Sequence, residues 1–150
     1  MFLEPEDLGQ SIYGYQVEEI TEGDDNLVLQ ALKAGVQEAR GYLTPNINDK
    51  KSYDGRPLYN VNAIFGATGN DREAIIVKHC ATLAKWHLVE LCNADVIYEH
   101  AKERYDRAIS WFDKVANGSV ILDELPTITL EDTPEIKPYS SGSRLKFNHE

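Results

Sequence analysis

The sequence lacks the features that mark several classes of protein. No apolar run approaches the length of a membrane span, and a hydrophobic content of 42% excludes a wholly disordered chain. The N-terminus, MFLEPEDLG, has neither the basic start nor the apolar stretch of a signal peptide. The two cysteines form no disulfide framework. A soluble, non-secreted protein is expected, with one domain of 150 residues or less around a hydrophobic core.

Basic residues are also scarce. Fifteen Lys and Arg stand against 25 Asp and Glu, and no segment forms the basic stripe with which proteins contact nucleic-acid phosphates. Residues 1–25 hold eight acids and no Lys or Arg. An acidic excess of this kind is usually a solvated surface, and its functional alternative is a surface that meets a basic partner or repels DNA. The candidate acidic surface comprises Glu18, Glu19, Asp24 and Asp25.

Catalytic signatures are absent as well. The chain has no G-x-S-x-G turn, no P-loop and no G-x-G-x-x-G, and the sequence GATG at 66–69 lacks the lysine of a phosphate loop. Close pairs of carboxylates arise by chance in a chain with 25 acids. The sequence therefore predicts no catalytic residue, no cofactor and no enzymatic activity.

The stretch HCATLAKWHLVELC, residues 79–92, holds side chains that can bind metals. His79 and His87 are about two helical turns apart, too far to share one zinc ion, and Cys80 and Cys92 are too distant along a helix to bridge. One metal hypothesis is left, in which two pairs reverse the Glu-x-x-His order of di-iron bundles and meet across a hairpin: His87 with Glu90, and His100 with Glu103.

A core position is the stronger interpretation of the same stretch. Its apolar residues recur at helical spacing, and cysteine behaves as a small hydrophobe on such a face. The predicted buried face comprises Ile76, Cys80, Leu83, His87 at its margin and Leu91, widened by Ile75 and Trp86.

Hydrophobic periodicity predicts a mainly α protein, a small helical bundle with a long helical hairpin. A short helix begins at Pro5 and ends near Gly14, and Asp25 caps a helix over 26–43 after the loop ITEGDDN. The face of this helix carries Val28, Leu32, Gly35, Ala39 and Tyr42, with small residues that allow another helix to approach closely.

Two further helices are expected to form the hairpin. Asn70 and Glu73 resemble a capping box that opens a helix over 70–92. A second helix covers about 95–117 and ends at Gly118, with Glu103 and Arg107 spaced for an ion pair. Its heptad-like seam comprises Tyr98, Ala101, Tyr105, Ala108, Phe112 and Val115. A turn near 92–94 would make the pair antiparallel, and one continuous helix is the alternative.

Two segments show no helical period. Residues 44–69 are predicted to be a long loop that partly packs and partly projects, and a loop of this length is often functional. Residues 119–150 are predicted to be an extended C-terminal segment, in which SVIL and TITL form short strands before a disordered end. The predicted division is thus a helical domain over 1–118, with its projecting loop, and the extended segment after it.

The order of these features resembles the Mu-like prophage family of head–tail adaptor, or head-completion, proteins of tailed bacteriophages. The resemblance covers roughly residues 1–43 and 70–126, and its matching positions are Gly41, Tyr42 and Leu43, then Arg104, Tyr105 and Ala108, then Ala116, Gly118 and Leu122. It implies a virion protein of the phage neck, made in the bacterial cytoplasm, that forms a homo-oligomeric ring below the portal. A tail or stopper protein would dock on this ring, through which DNA passes without specific binding.

Partner contacts would come from the loop and the tail in this interpretation. The candidate partner-binding residues are Lys50, Lys51 and Arg56 in the loop, and Tyr139, Arg144, Lys146 and Phe147 near the C-terminus. Solvated charges and a disordered end are the alternatives for these two sets. Two rival functions stay open: an acidic interaction or inhibitor module that presents a DNA-like surface, and a small helical metalloenzyme that uses the two His–Glu pairs.

Overall fold

A computed structural model describes residues 1–9, 11–12, 15–44, 57–92 and 98–128. The chain is mainly helical and forms a small helical bundle, as the sequence predicts. Its helices are α1 (Val17–Thr21), α2 (Asp25–Leu43), α3 (Val61–Gly66), α4 (Ala74–Leu91) and α5 (Tyr98–Ala116). Before α1, the two-residue strands β1 (Ser11–Ile12) and β2 (Tyr15–Gln16) pair antiparallel, with Ser11 opposite Gln16.

The N-terminal segment is less helical than the sequence suggests. The helix predicted from Pro5 to near Gly14 is only a 3-10 turn, Pro5–Leu8, and Gly9 leaves it at a φ of 77°. The Asp7 carboxylate fixes the turn, because it accepts the backbone N–H of Glu4 at 2.7 Å and the guanidinium of Arg72 at 2.6 Å. Conversely, the loop predicted at ITEGDDN is helical in part, since α1 continues to Thr21.

Helix α2 packs its small-residue face against α4. Val28, Leu32, Gly35 and Ala39 are buried and Tyr42 is half-buried, which confirms the predicted face. The helix is capped by Asp24 rather than Asp25, because the Asp24 carboxylate accepts the N–H of Asn26 at 3.0 Å.

Helix α4 begins later than predicted, and the capping box at Asn70 and Glu73 does not form. Asn70 belongs to a 3-10 turn, Gly69–Asp71, and Glu73 is the N-cap residue without a side-chain hydrogen bond. The predicted core positions Ile76, Cys80, Leu83 and Trp86 are buried, and His87 lies at the margin. The prediction is wrong for two residues, because Ile75 and Leu91 are 41% and 38% exposed. Each lies at an end of the helix, where fewer neighbours cover it.

Helices α4 and α5 form the predicted antiparallel hairpin. His79 stacks on Trp111 with ring centroids 4.1 Å apart, and Trp86 contacts Tyr105 with centroids 5.2 Å apart. A later residue of α4 thus contacts an earlier residue of α5, as two antiparallel helices require. Since α4 ends at Leu91, the continuous-helix alternative is wrong, and the connecting residues 93–97 are outside the described part.

The seam of α5 is confirmed over most of its length. Ala101, Ala108, Phe112 and Val115 are buried and Tyr105 is half-buried, whereas Tyr98 at the first turn is 43% exposed. The exposed ion pair also forms, with Arg107 Nη2 and Glu103 Oε1 2.7 Å apart.

The segment 57–69 contains a helix that its Pro, Asn and Gly residues do not suggest. Asn60 caps α3 by accepting the N–H of Ala63 at 3.1 Å, and Ile64 and Phe65 of this helix are buried. The chain after α5 then returns to this region, because Tyr59 forms an isolated antiparallel bridge with Thr127 and the N–H of Ile128 donates to Leu58 at 2.7 Å. Of the two predicted strands, SVIL is not a strand and TITL contributes Thr127 to this bridge.

Candidate functional site

The predicted acidic surface comprises exposed side chains of α1 and of the first turn of α2, on either side of the buried Thr21. Glu18, Glu19, Asp24 and Asp25 are all solvent-exposed. The N–H groups at the start of α2 favour negative charge nearby, so Asp24 and Asp25 stabilise that helix as well as charging the surface. These four carboxylates can meet a cationic partner without rearrangement of the fold.

A second polar group lies where α2, α4 and α5 meet. Glu38 on α2 places Oε1 2.8 Å from Nε2 of His87 on α4 and accepts the hydroxyl of Tyr105 on α5 at 2.5 Å. Glu38 and His87 retain side-chain exposures of 25% and 23%, and Glu90 approaches His87 Nδ1 at 3.9 Å. We call Glu38, His87 and Tyr105 the three-helix polar cluster.

The chemistry of this cluster follows from its acceptor. A carboxylate only accepts hydrogen bonds, so the His87 ring must carry its hydrogen on Nε2. Burial raises the pKa of Tyr105, and the hydrogen bond to Glu38 and the charge of that carboxylate raise it further. The phenol therefore stays a hydrogen-bond donor. Both ring nitrogens of His87 face carboxylates, which suits a contact that fixes helix positions better than a base that activates a nucleophile.

The four-residue metal hypothesis gains no geometric support. His87 and Glu90 lie near each other, but Glu103 pairs with Arg107 and His100 is exposed on the outside of α5. Within the described ranges, no group of three or more His, Cys, Asp or Glu side chains could hold a metal ion. The same part of the chain contains no helix long and apolar enough to cross a membrane.

The cysteines and His79 of the stretch 79–92 behave as core side chains. Cys80 is buried, and burial raises the pKa of its thiol to about 12. Cys92 is half-buried, and burial followed by the charges of Asp24 and Glu22 raises its pKa as well. His79 stacks on Trp111, and burial together with the charge of Lys78 lowers its pKa, which favours the neutral ring.

The candidate partner-binding residues all lie outside the described part of the chain. These are Lys50, Lys51 and Arg56 of the loop, and Tyr139, Arg144, Lys146 and Phe147 of the tail. Their roles stay predictions.

Two of the residues that carry the family resemblance, Tyr42 and Tyr105, lie at the contact between α2 and α5. Tyr42 stacks on Phe112 of α5, with ring centroids 5.9 Å apart, and Tyr105 reaches Glu38 one turn before Tyr42. Gly118 follows α5 at a φ of 87°, a left-handed conformation in which glycine ends helices without strain. Tyr42 of GYL and Tyr105 of RYDRA thus both take part in the contact between α2 and α5, each with a partner on the other helix. Glu38 was not predicted as a site residue, and only the fold determines which side chains of the two other helices donate to it.

Comparison with known proteins identifies no relative. No family model, no curated protein and no solved structure matches the chain.

Proposed function

We propose that this protein is a structural head–tail adaptor subunit of a tailed bacteriophage. The observation that carries the proposal is the α2–α5 contact, in which Tyr42 packs on Phe112 and Tyr105 binds Glu38. Tyr42 from the first segment that resembles the adaptor family and Tyr105 from the second both take part in this contact, each with a partner on the other helix. When two segments pack on one another, the residue types in each depend on those in the other. If the chain shares the helical bundle of that family, this packing explains why both segments occur in it.

The proposed assembly is a homo-oligomeric ring between a portal protein and a tail or stopper protein. A ring needs heterologous contacts, in which different patches of one subunit meet its two neighbours. The helical bundle, the predicted loop over 44–69 and the predicted C-terminal segment over 119–150 would supply different patches for such contacts. No catalytic step and no cofactor belong to this function.

The decisive experiment is deletion of the gene in its native phage or prophage, followed by electron microscopy of the induced lysate. Unjoined heads and free tails are expected, with joined virions restored when the protein is supplied in trans. A Glu103→Gln variant supplied in trans serves as the control, because it removes one exposed ion pair outside the α2–α5 contact. Normal virions in the deletion strain would refute the proposal.

The acidic surface has a specific role in this proposal, which is to let DNA slide past the ring without sticking. The test variant combines Glu18→Gln, Glu19→Gln, Asp24→Asn and Asp25→Asn, and asparagine keeps the N-cap of α2. Slower genome ejection or retained DNA is expected. The matched control neutralises Glu99, Asp113, Asp123 and Glu124, four acids that are equally exposed elsewhere. No effect, or the same effect from both variants, would remove this role.

The tail gives a second test of the same proposal. Deletion of residues 139–150 should abolish docking of the tail or stopper protein while the thermal unfolding transition of the bundle is retained. Heads that still join tails at the normal yield would exclude the tail as a docking element.

One observation favours an acidic interaction module as the second candidate function. Five exposed acids fall within eight residues: Glu18, Glu19, Glu22, Asp24 and Asp25. A module that mimics DNA would displace DNA from a basic DNA-binding protein, and the four-acid variant should lose this competition. Joined virions in the deletion strain together with such competition would select this candidate.

A further inference from the structure

A cleft of about 830 Å³ opens between the N-terminal 3-10 turn, α1 and the first half of α2. Val17, Val28 and Leu29 give it an apolar part, and the Leu29 side chain is 40% exposed. The volume is in the range of clefts that take a ligand or a short peptide. Apolar surface beside solvent would gain free energy if an apolar group covered it.

Carboxylates surround this apolar part. Glu6, Glu18 and Asp25 line the same cleft, and the first Lys or Arg of the chain is Lys33. The nearby guanidinium of Arg72 is already bound to Asp7. An occupant must therefore combine apolar side chains with positive charge.

The chain itself contains such a segment near its C-terminus. In the sequence RLKF at 144–147, Arg144 and Lys146 alternate with Leu145 and Phe147. Extended backbone points successive side chains to opposite sides, which would separate two apolar from two cationic groups. Long Arg and Lys stems can lie along apolar surface while their charged ends reach carboxylates at its edge. The other basic cluster, Lys50-Lys51, has no such alternation.

The length of the intervening chain allows this contact. Arg144 lies sixteen positions after Ile128, the last described residue. At roughly 3.3 Å per residue they span up to about 53 Å. A compact domain of this size has a diameter of roughly 35 Å. The segment can therefore reach the cleft of its own subunit or that of a neighbour.

We propose that the acidic cleft binds the C-terminal segment 144–147 of this chain, with Leu145 and Phe147 on the apolar part and Arg144 and Lys146 at the carboxylates. This inference does not depend on the adaptor function. In one subunit the contact would close the tail onto the bundle, and between two copies it would link neighbours head to tail.

The test compares amide ¹H–¹⁵N spectra of the full-length protein and of full-length variants. Arg144→Glu with Lys146→Glu should shift the amide signals of Val17, Thr21, Val28 and Leu29, which all line the cleft. Leu145→Ser with Phe147→Ser should shift the same signals while leaving the net charge unchanged. Lys50→Glu with Lys51→Glu is the matched control, since it makes the same change of charge elsewhere.

Carbodiimide crosslinking of the wild-type chain gives a second readout. A bond between Lys146 and Glu6, Glu18 or Asp25 is expected, and mass spectrometry of the digested protein locates it. If the segment binds the cleft of its own subunit, the yield of this crosslink is unchanged on dilution of the protein. If it binds the cleft of a neighbouring copy, the yield falls on dilution. Either result supports the proposal. Shifts confined to the C-terminal residues, or equal shifts at the cleft from the Lys50/Lys51 control, would overturn it.

Discussion

Gly35 is the point at which α2 touches the backbone of α4. A Cβ atom added there would lie 3.0 Å from the backbone nitrogen of Ala84, 3.0 Å from the carbonyl oxygen of Cys80 and 3.2 Å from the Cα of Ala84. These are backbone atoms of a continuous helix, so none of them can rotate away as a side-chain end could. Gly35→Ala therefore requires the backbones of α2 and α4 to separate by a few tenths of an ångström, which loosens the packing around this contact.

The size of this effect can be isolated with a second glycine in the same helix. Alanine gains about 1 kcal/mol over glycine in a helix interior, where Gly35 lies, and less in the last turn of α2, where Gly41 lies. Gly41 is exposed and has no atom within 4 Å of an added Cβ, so Gly41→Ala should stabilise the protein. Overpacking a tight interior costs typically about 1–3 kcal/mol. The cost of overpacking should outweigh the larger propensity gain at position 35, so Gly35→Ala should be less stable than Gly41→Ala by up to about 3 kcal/mol.

Urea unfolding monitored by circular dichroism at 222 nm measures this difference directly. If the unfolding free energies of the two variants depend on urea concentration with similar slopes, a difference in midpoint reports a difference in stability. If Gly35→Ala were at least as stable as Gly41→Ala, the expected cost of overpacking the α2–α4 contact would be refuted.

Three further predictions concern side chains at the margins of the core. Arg72→Met should cost about 1.5–3 kcal/mol at pH 7, because it removes charged hydrogen bonds to Asp7. Burial tends to raise the pKa of Asp7, but the bonds from Arg72 and the Glu4 N–H outweigh it and hold the pKa below the ordinary 3.8. A carboxyl group whose pKa is lowered in the folded state contributes stability at pH values above its pKa in the unfolded chain and loses that contribution as the pH falls. The difference in free energy of unfolding between wild type and Arg72→Met should therefore decrease as the pH falls below 3.8. A constant difference would refute the pairing of Asp7 with Arg72. Tyr105→Phe should cost about 1.5–3 kcal/mol by losing its bond to Glu38, whereas Tyr98→Phe at an exposed site should be nearly neutral in the same assay. Iodoacetamide should modify Cys92 before Cys80, whose thiol has a pKa of about 12 and should react only as the protein unfolds; equal rates in native buffer would contradict the burial of Cys80.

The helix faces were accessible from the sequence because burial repeats with the helical period. The alternating steps through Val28 to Ala39 and through Ala101 to Val115 identify buried faces without knowledge of any partner. The same logic places Cys80 in the core rather than at a metal. The inference of burial from helical spacing fails at Ile75, Leu91 and Tyr98. Each of these residues lies in a terminal turn, where the apolar spacing continues but fewer neighbours cover the side chain.

Helix α3 was missed because its length hides the period. Six residues make fewer than two turns, too few for apolar spacing to distinguish a helix from an irregular apolar run. One local signal was nevertheless present, because Asn60 directly precedes the helical segment and caps it. Similarly, the N-terminal helix is only a 3-10 turn, which ends at Gly9 with a φ of 77°, and Asp7 in this turn binds Arg72, a residue 65 positions away that no local pattern identifies.

The three-helix polar cluster shows where a sequence pattern could still predict a partner. Glu38 directly precedes the buried Ala39 and follows the tight contact at Gly35 by less than one turn, so its carboxylate must lie at the edge of a packed face. A carboxylate held there loses part of its water and requires donors from the facing helices. His87 at the margin of α4 and Tyr105 in the seam of α5 are the donors that meet it. An acid beside a small-residue helix face therefore predicts a polar side chain on each helix that packs nearby, although only the fold determines which ones.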